Sequence, residues 1–248
     1  MIKSQYGISA KQGGHNMKIN YCCLDASAFS LGFAASHNNT LILEKSENVL
    51  SDFVNPITPA VVNEPQTDEG KAFAEYIRKS GYVSDEGILD SPSLAPVAAE
   101  YALNMNFSIL LGTKIISCEK ENEKYHIQVY TNSGLQNIIC DKIIRRPDAE
   151  TSFKLLNCIV SGTDCKTLSK FEKFGGRIKK SFEKDEFIVS MPFTPGCQFN
   201  EARIEFVKAF TECFGVSVQI DAFASDFEYG GSGGIIEEFE SGVGYDLL

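Results

Sequence analysis

The sequence predicts an α/β protein in which a mostly parallel sheet carries an inserted three-stranded antiparallel meander, with a smaller α+β subdomain after it. Two apolar runs, residues 19–24 and 40–43, are joined by a segment of helical length, which is the order strand, helix, parallel strand. Between residues 107 and 144, short runs rich in Ile and Val are separated by turn residues, which is typical of a meander. Beyond Pro147, two strand-like runs and a helix predict the second unit.

The helices of the first unit have recognisable ends. Residues 46–66 contain three prolines and are predicted to form a loop. Thr67 is placed to cap a helix that Gly81 ends in the left-handed conformation. The next helix is predicted to start near Ser93, because Pro96 is tolerated only in a first helical turn.

The composition predicts a folded, acidic protein. Of its 248 residues, 43% are hydrophobic, and the net charge is -10. A nucleic-acid partner is not expected, because phosphate binding needs clustered Lys and Arg. No apolar run reaches the ~18 residues that cross a bilayer, and residues 1–16 lack the apolar core of a secretory signal. We therefore expect a cytoplasmic protein without a membrane partner, preceded by a flexible extension over residues 1–16.

Cysteine and histidine spacing predicts neither disulfides nor a metal site. The eight cysteines form no CxxC pair, and several alternate with apolar residues in strand-like runs, so buried reduced thiols are expected. The three histidines are scattered, and no metal-ligand spacing involves them.

The second unit is predicted to be α+β over residues 150–225 and to be followed by a tail. Its helix, near residues 200–215, is predicted to face inward with Ile204, Val207, Phe210 and Phe214. Residues 226–248 are acidic and rich in glycine, which predicts a solvated or loosely attached tail.

The stretch "INYCCLDASAFSLGFAAS" has the layout of a dinucleotide-binding turn, without its glycines. Those three glycines permit a tight bend, let the pyrophosphate approach the backbone, and let helix and strand pack closely. Asp25, Ser27 and Ser30 occupy the three places. Asp25 adds bulk and a like charge beside a pyrophosphate, or it caps the helix that follows. The serine hydroxyls are small enough to be tolerated and could donate to a phosphate.

Glu44 is the candidate ribose ligand. It lies 19 residues after Asp25, at the end of the second strand, where an acid accepts hydrogen bonds from a nucleotide ribose. The alternative is that Glu44 only ends a buried strand at the surface.

Taken with "PQTDEGKAFAEYIRKSG" and "SPSLAPVAAEYALNMNFSILLGTKIISCEKENEKYHIQVYTNSGLQNIICDKII", the first 144 residues resemble the FAD-dependent oxidoreductases of the glutathione-reductase structural class. The similarity covers roughly residues 18–144. It implies a Rossmann-like FAD/NAD(P)-binding domain over residues 17–149, with Glu44 near the adenosine ribose and Lys45 among the cofactor-binding residues. It also implies that the segment from Thr113 to Ile115 passes the adenine. The resemblance identifies no catalytic residue.

Three functional hypotheses follow. The first is a shortened, divergent FAD-dependent oxidoreductase, in which the altered fingerprint at Asp25, Ser27 and Ser30 predicts weak or lost FAD binding. The second is a non-catalytic scaffold or accessory protein that keeps the flavoprotein fold, beside a flavoenzyme subunit or as a homo-oligomer. The third is a protein that binds a smaller nucleotide whose single phosphate avoids Asp25.

Overall fold

A six-stranded sheet forms the centre of the first unit. The computed structural model describes residues 16–105, 107–146, 153–229 and 234–245. Residues 1–15 of the predicted extension therefore lie outside the described residues. The strands are β1 (Met17–Cys23), β2 (Thr40–Leu43), β3 (Ser108–Leu110), β4 (Lys114–Glu121), β5 (Lys124–Thr131) and β6 (Gly134–Ile144).

The strand pairing confirms the predicted fold class. Strands β2 and β6 both pair in parallel with β1, and β3 pairs in parallel with β2. Strands β4, β5 and β6 form the antiparallel meander. Because β6 is long, it pairs with β5 along its first part and with β1 as far as its last residue, so one strand joins the meander to the parallel sheet.

Five α-helices of the described residues belong to this unit, and their ends follow local rules. Thr67 caps α3 by accepting a hydrogen bond from the Gly70 backbone N–H at 2.9 Å. Gly81 follows α3 with φ of +84°. A 3-10 turn precedes α4, so Pro96 falls in the first turn of that helix. The helices are α1 (Ala28–Ser36), α2 (Ser51–Val54), α3 (Asp68–Lys79), α4 (Leu94–Leu103) and α7 (Ile235–Val243).

The second unit is an antiparallel sheet in the order β10-β7-β9-β8, with the short β11 also paired to β7. Helix α6 covers one face of this sheet and contributes to a core rich in phenylalanine. The elements are β7 (Lys154–Ser161), α5 (Cys165–Leu168), β8 (Arg177–Lys180), β9 (Glu186–Phe193), α6 (Phe199–Phe214), β10 (Ile220–Phe223) and β11 (Glu228–Tyr229).

The inward face of α6 differs from the prediction. Phe210 and Phe214 are buried as expected, but Ile204 and Val207 are 58% and 42% exposed. Phe206 is buried in their place. The prediction followed apolar character, whereas the buried stripe combines large aromatic rings with small residues that let the helix approach the sheet.

Within the predicted tail, residues 235–243 form a docked helix, which differs from the loose attachment that the composition predicts. Helix α7 buries Ile235, Ile236 and Phe239 completely, and the Phe239 ring stacks on Phe73 with centroids 4.3 Å apart. These apolar residues share one helical face with Gly242, while the acidic residues occupy the rest of the helix. The net charge of the segment therefore conceals an amphipathic helix.

Two further contacts fix α7. It crosses α1 so closely that a Cβ atom on Gly242 would lie 1.9 Å from the Phe29 carbonyl oxygen. At its other side, Glu240 accepts hydrogen bonds from the backbone N–H groups of Gln66 and Thr67, both at 2.6 Å. The Glu240 carboxylate thus lies at the positive end of α3, where a negative charge is stabilising.

The described residues contain free thiols, but they contain no group of metal ligands and no helix that could cross a membrane. All eight cysteines are free; Cys22, Cys23, Cys140 and Cys158 are buried, while Cys118 and Cys165 are exposed. No described helix has the length and apolar character to cross a membrane. In the same part of the chain, no three His, Cys, Asp or Glu side chains are grouped to hold a metal ion.

Candidate functional site

The turn between β1 and α1 brings together the residues that replace the fingerprint glycines. Ser27 is the N-cap of α1: its backbone is extended, and its Oγ accepts a hydrogen bond from the Ser30 N–H at 3.2 Å. Asp25 therefore does not occupy the N-cap, which was one of the two roles that the sequence left open for it. Ser27 is the residue that stands one position before the first helical residue, where a side-chain oxygen can reach the free N–H groups.

Asp25 instead accepts hydrogen bonds from the turn itself. Its Oδ1 accepts from the Ser27 backbone N–H at 3.2 Å and from the Ser30 hydroxyl at 2.7 Å. The Ser27 hydroxyl also donates to the same oxygen. In this arrangement the two serine hydroxyls, which the sequence offered as donors to a phosphate, both donate to the protein's own carboxylate.

Glu44 lies at the end of β2 as predicted, but it points into the protein and is 1% exposed. Its Oε2 accepts from the Ala26 backbone N–H at 2.8 Å and from the Ser51 hydroxyl at 2.7 Å. Its Oε1 accepts from the Ser46 backbone N–H at 2.7 Å. The carboxylate that the resemblance assigns to a ribose therefore joins three parts of the chain to one another.

Asp52, on the short helix α2, is a site residue that the sequence reasoning missed. Its Oδ1 accepts from the Ala28 backbone N–H at 3.2 Å. Burial raises the pKa of Asp52 to about 7, although Arg146 opposes that increase. The only signal in the sequence was an acid inside the proline-containing segment 46–66, and such an acid has no spacing rule that ties it to α1.

Arg146 holds this acidic end of the site together. Its Nη1 lies 3.6 Å from Asp52 Oδ2, and its Nη2 lies 2.7 Å from Glu238 Oε1 on α7. The side chains of Asp52 and Arg146 are 17% and 30% exposed, so solvent screens this contact only in part. Arg146 therefore links the chain just after β6 to α2 and to the last helix.

Replacing Arg146 by methionine is expected to lower the free energy of unfolding by about 1–3 kcal/mol, and by more at about pH 8 than at about pH 5. The pKa of Asp52 in the folded protein, about 7, is above that of an unfolded aspartate. Its charge, which is unfavourable in the fold, is therefore absent at low pH and appears as the pH rises through 7. Without Arg146 that charge stands uncompensated.

Urea unfolding at the two pH values measures this effect. Arg145→Met is the matched control, since it removes an adjacent exposed arginine that does not contact Asp52. An equal loss at both pH values would contradict the assigned interaction.

Three successive backbone N–H groups at the start of α1 thus donate to three different carboxylates. Ala26 donates to Glu44, Ser27 to Asp25, and Ala28 to Asp52. A dinucleotide pyrophosphate binds such a helix N-terminus through these N–H groups and through the positive end of the helix dipole. In this turn the same N–H groups donate to carboxylates of the chain itself.

Two neighbouring cavities follow this edge of the sheet. The first, of about 330 Å³, lies beside the carboxylates and is lined in part by Asp25, Asp52, Lys45 and Arg146. The Lys45 ammonium group lies 3.6 Å from Oδ2 of Asp226, which also lines this cavity. Two aromatic residues of the second unit, Phe227 and Tyr229, complete this part of its wall.

The second cavity, of about 460 Å³, brings together the residues that the resemblance places near the adenine. Its lining consists of Thr113, Ile115, Lys45, Lys114, Leu24, Leu43 and Gly112. The Thr113 hydroxyl donates to the Leu110 carbonyl at 2.9 Å, and its backbone N–H donates to the Glu44 carbonyl at 2.8 Å. The wall of this cavity is mainly apolar, and two lysines contribute to it.

The parallel sheet, the meander carried on β6 and the second antiparallel sheet together form a fold that other solved structures share. Solved structures with this fold include OxyS anhydrotetracycline hydroxylase from Streptomyces rimosus, with a TM-score of 0.55 and 11% identity over 92% of this chain. BexE, studied for oxidation during BE-7585A biosynthesis, has a TM-score of 0.58 and 10% identity over 92% of this chain. The rebeccamycin biosynthetic enzyme RebC with reduced flavin has a TM-score of 0.51 and 11% identity over 86%.

These similarities concern the fold, because the sequence identities are low. This chain spans 60% of the OxyS chain, 60% of BexE and 52% of RebC, so it corresponds to about half to three fifths of each. No protein-family model matches the sequence, and no curated protein matches it.

Proposed function

We propose that this chain is a non-catalytic protein that keeps the flavoprotein fold without holding FAD. The observation that carries the proposal is the use of the Ala26, Ser27 and Ala28 N–H groups by Glu44, Asp25 and Asp52. A bound pyrophosphate would have to displace all three carboxylates. It would also take the Ala26 donor away from Glu44, whose side chain is 1% exposed and would keep only the Ser51 hydroxyl and the Ser46 N–H.

The electrostatic repulsion between a pyrophosphate and the carboxylates of the turn is large on its own. Two like unit charges about 4 Å apart oppose each other by about 4 kcal/mol at the effective dielectric constant typical of a protein surface. A pyrophosphate at the turn would face the Asp25 carboxylate at such a distance, and Arg146 is already paired to Asp52 and Glu238. One hydrogen bond to a charged group contributes only about 1.5–3 kcal/mol. The repulsion is therefore larger than the stabilisation that one hydrogen bond to the ribose could provide.

The rest of the first unit supports a role that needs no cofactor. The turn has its own hydrogen bonds, and α7 packs closely against α1. We propose that the protein acts as a scaffold or accessory protein that binds either a flavoenzyme subunit or a second copy of itself.

The wild-type protein is expected to purify colourless and to show no saturable heat of FAD binding in calorimetry. An absorption spectrum with and without added FAD checks the first statement. Size-exclusion chromatography with light scattering, alone and with candidate flavoenzyme subunits, tests the scaffold role separately. Flavin bands in the purified protein, or stoichiometric binding of added FAD, would contradict the proposal and favour an FAD-dependent enzyme.

A smaller nucleotide is the second candidate, and the 460 Å³ cavity is the observation that favours it. The cavity shares Lys45 with the first cavity but is not lined by Asp25 or Asp52, and it combines an apolar wall with Lys45 and Lys114. A base against Leu24 and a single phosphate at the lysines would avoid the carboxylates. Titration with adenosine monophosphate, compared with adenosine, tests this. Equal absence of binding for both would exclude it.

A further inference from the structure

A second group of buried polar side chains lies away from the turn, where the second sheet meets the first unit. Asn157 stands in the middle of β7 and is 0% exposed, and Glu228 on the neighbouring β11 is 3% exposed. The two strands are antiparallel neighbours, with Glu228 opposite Leu155. An amide and a carboxyl group are thus enclosed at the junction of the two units.

The Asn157 side-chain amide links three segments of the chain. Its Nδ2 donates to Glu228 Oε2 at 2.7 Å, and it donates to the carbonyl oxygens of Pro56 at 2.9 Å and Ile57 at 3.4 Å. Pro56 and Ile57 follow α2 in the first part of the chain. This one amide therefore connects the segment after α2 to β7 and to β11.

One oxygen on each partner has no hydrogen bond. Within the described residues, Asn157 Oδ1 and Glu228 Oε1 are both buried and without a donor. Both atoms are acceptors when the glutamate is ionised, so they cannot bond to each other. A buried acceptor without a donor is unfavourable, and a buried charge is more so. A single proton on Glu228 removes the charge and turns one acceptor into a donor.

We propose that Glu228 is protonated in the folded protein and pairs with the Asn157 side-chain amide as a neutral acid, so that a bound proton holds the return strand β11 in place. The carboxylic acid hydroxyl then donates to Asn157 Oδ1 while Glu228 Oε2 keeps the bond from Nδ2. The proton comes from solvent as the chain folds. This inference goes beyond the proposed function, because it concerns the closure of the fold and holds with or without a cofactor.

The surrounding charges are compatible with a neutral Glu228. Burial raises the pKa of Glu228, while its hydrogen bond from Asn157 and the positive charges of Lys179 and Arg177 on β8 lower it, and the net direction is upward. On β7, the ammonium group of Lys154 lies over the Phe227 ring, 4.1 Å from its centroid. The groups that contact this pair from the segment after α2 are the uncharged carbonyls of Pro56 and Ile57.

Ionisation of Glu228 is expected to loosen β11 and the residues beside it. Asp226, Phe227 and Tyr229 line the 330 Å³ cavity, and the chain continues from them to α7. A charged Glu228 gains stability by reaching water, which requires β11 to move away from β7. The proton therefore couples the pH to the closure of that cavity.

The test compares the pH dependence of unfolding in the wild-type protein and in Glu228→Gln. A carboxyl group whose pKa is higher in the folded state contributes stability at low pH that is lost as the pH rises from about 4.3, the ordinary glutamate pKa. The wild-type urea midpoint is therefore expected to fall as the pH rises. Glutamine reproduces both hydrogen bonds of the neutral acid at every pH, so its midpoint is expected to fall less. The titration of Asp52 contributes equally to the pH dependence of both proteins.

Glu119→Gln, on the exposed strand β4, is the matched control and is expected to keep the wild-type pH dependence. Carbon NMR of glutamate-labelled protein reports the Glu228 carboxyl directly, with its signal identified by its loss in the Glu228→Gln variant. A raised Glu228 pKa together with the flatter profile would establish the proposal. A Glu228 that titrates at or below the ordinary value, or identical pH profiles for both proteins, would overturn it.

Discussion

Replacing Gly242 by valine is expected to detach α7 from α1 and to lower the free energy of unfolding by at least about 3 kcal/mol, the upper end of the usual range for overpacked sites. The Cβ atom that valine adds would lie 1.9 Å from the Phe29 carbonyl oxygen, and backbone cannot rotate away as a side chain can. The helices must therefore separate. Separation exposes Ile235, Ile236 and Phe239, and each of these side chains stabilises the fold by about 1.5–3 kcal/mol when buried.

Chemical denaturation monitored by circular dichroism measures this loss, and hydrogen exchange of α7 locates it. Gly32→Val should behave in the same way, because its Cβ would lie 1.8 Å from the Phe239 carbonyl oxygen. Gly196→Val is the control, since no described atom lies within 4 Å of its added Cβ and its φ is not positive. A stable Gly242→Val protein with a protected α7 would show that the crossing of the two helices is not needed.

The parallel sheet could be predicted because its signal is local. The runs at residues 19–24 and 40–43 are too short for helices, are almost wholly apolar, and flank one helical segment, which leaves a parallel pair as the simplest arrangement. The structure pairs Tyr21 with Thr40 in that way. The signal for the meander was equally local, since its strands are joined at residues of positive φ, such as Asn122 and Gly134.

Helix α7 could not be predicted from composition, because its charge and its packing are on different faces. Glu237, Glu238 and Glu240 dominate the count of charges, yet Glu238 pairs with Arg146 and Glu240 accepts two N–H groups at the start of α3. These partners lie far away along the chain, at separations of 92, 174 and 173 residues. Only the apolar positions 235, 236 and 239 carried a local signal for the helix.

The sequence predicted where the residues of the candidate site lie in the fold, but it did not predict which groups they bond to. Asp25, Ser27, Ser30 and Glu44 all lie at the expected turn and strand end. The sequence presents Asp25 as a charge that repels a phosphate, whereas the structure shows it as an acceptor for the turn's own donors. Asp52 was missed because it reaches Ala28 from another segment, and no spacing rule relates a loop acid to a helix 24 residues before it.

The largest change in ligand binding is expected when these carboxylates are removed from the start of α1. In a variant with Asp25→Gly, Ser27→Gly and Ser30→Gly, the residue 27 N–H loses its internal acceptor and the backbone becomes open to a pyrophosphate. FAD affinity is expected to rise above the undetectable wild-type level. Adding Asp52→Asn removes the charge at the Ala28 N–H and is expected to raise the affinity at least about tenfold further, which corresponds to about 1.4 kcal/mol.

Calorimetry and flavin fluorescence measure the affinities, and circular dichroism verifies that each variant is folded. Replacing Ser27 by glycine at the N-cap costs only a few tenths of a kcal/mol, about as little as any substitution there. The control for Asp52→Asn is Asp226→Asn in the same triple-glycine protein, because Asp226 lines the same cavity but pairs with Lys45 and does not accept from α1. If both additions raised the affinity equally, general repulsion rather than the hydrogen bond to α1 would be the obstacle. If the folded variants bound no FAD at all, the carboxylates of Asp25 and Asp52 would not be what excludes it.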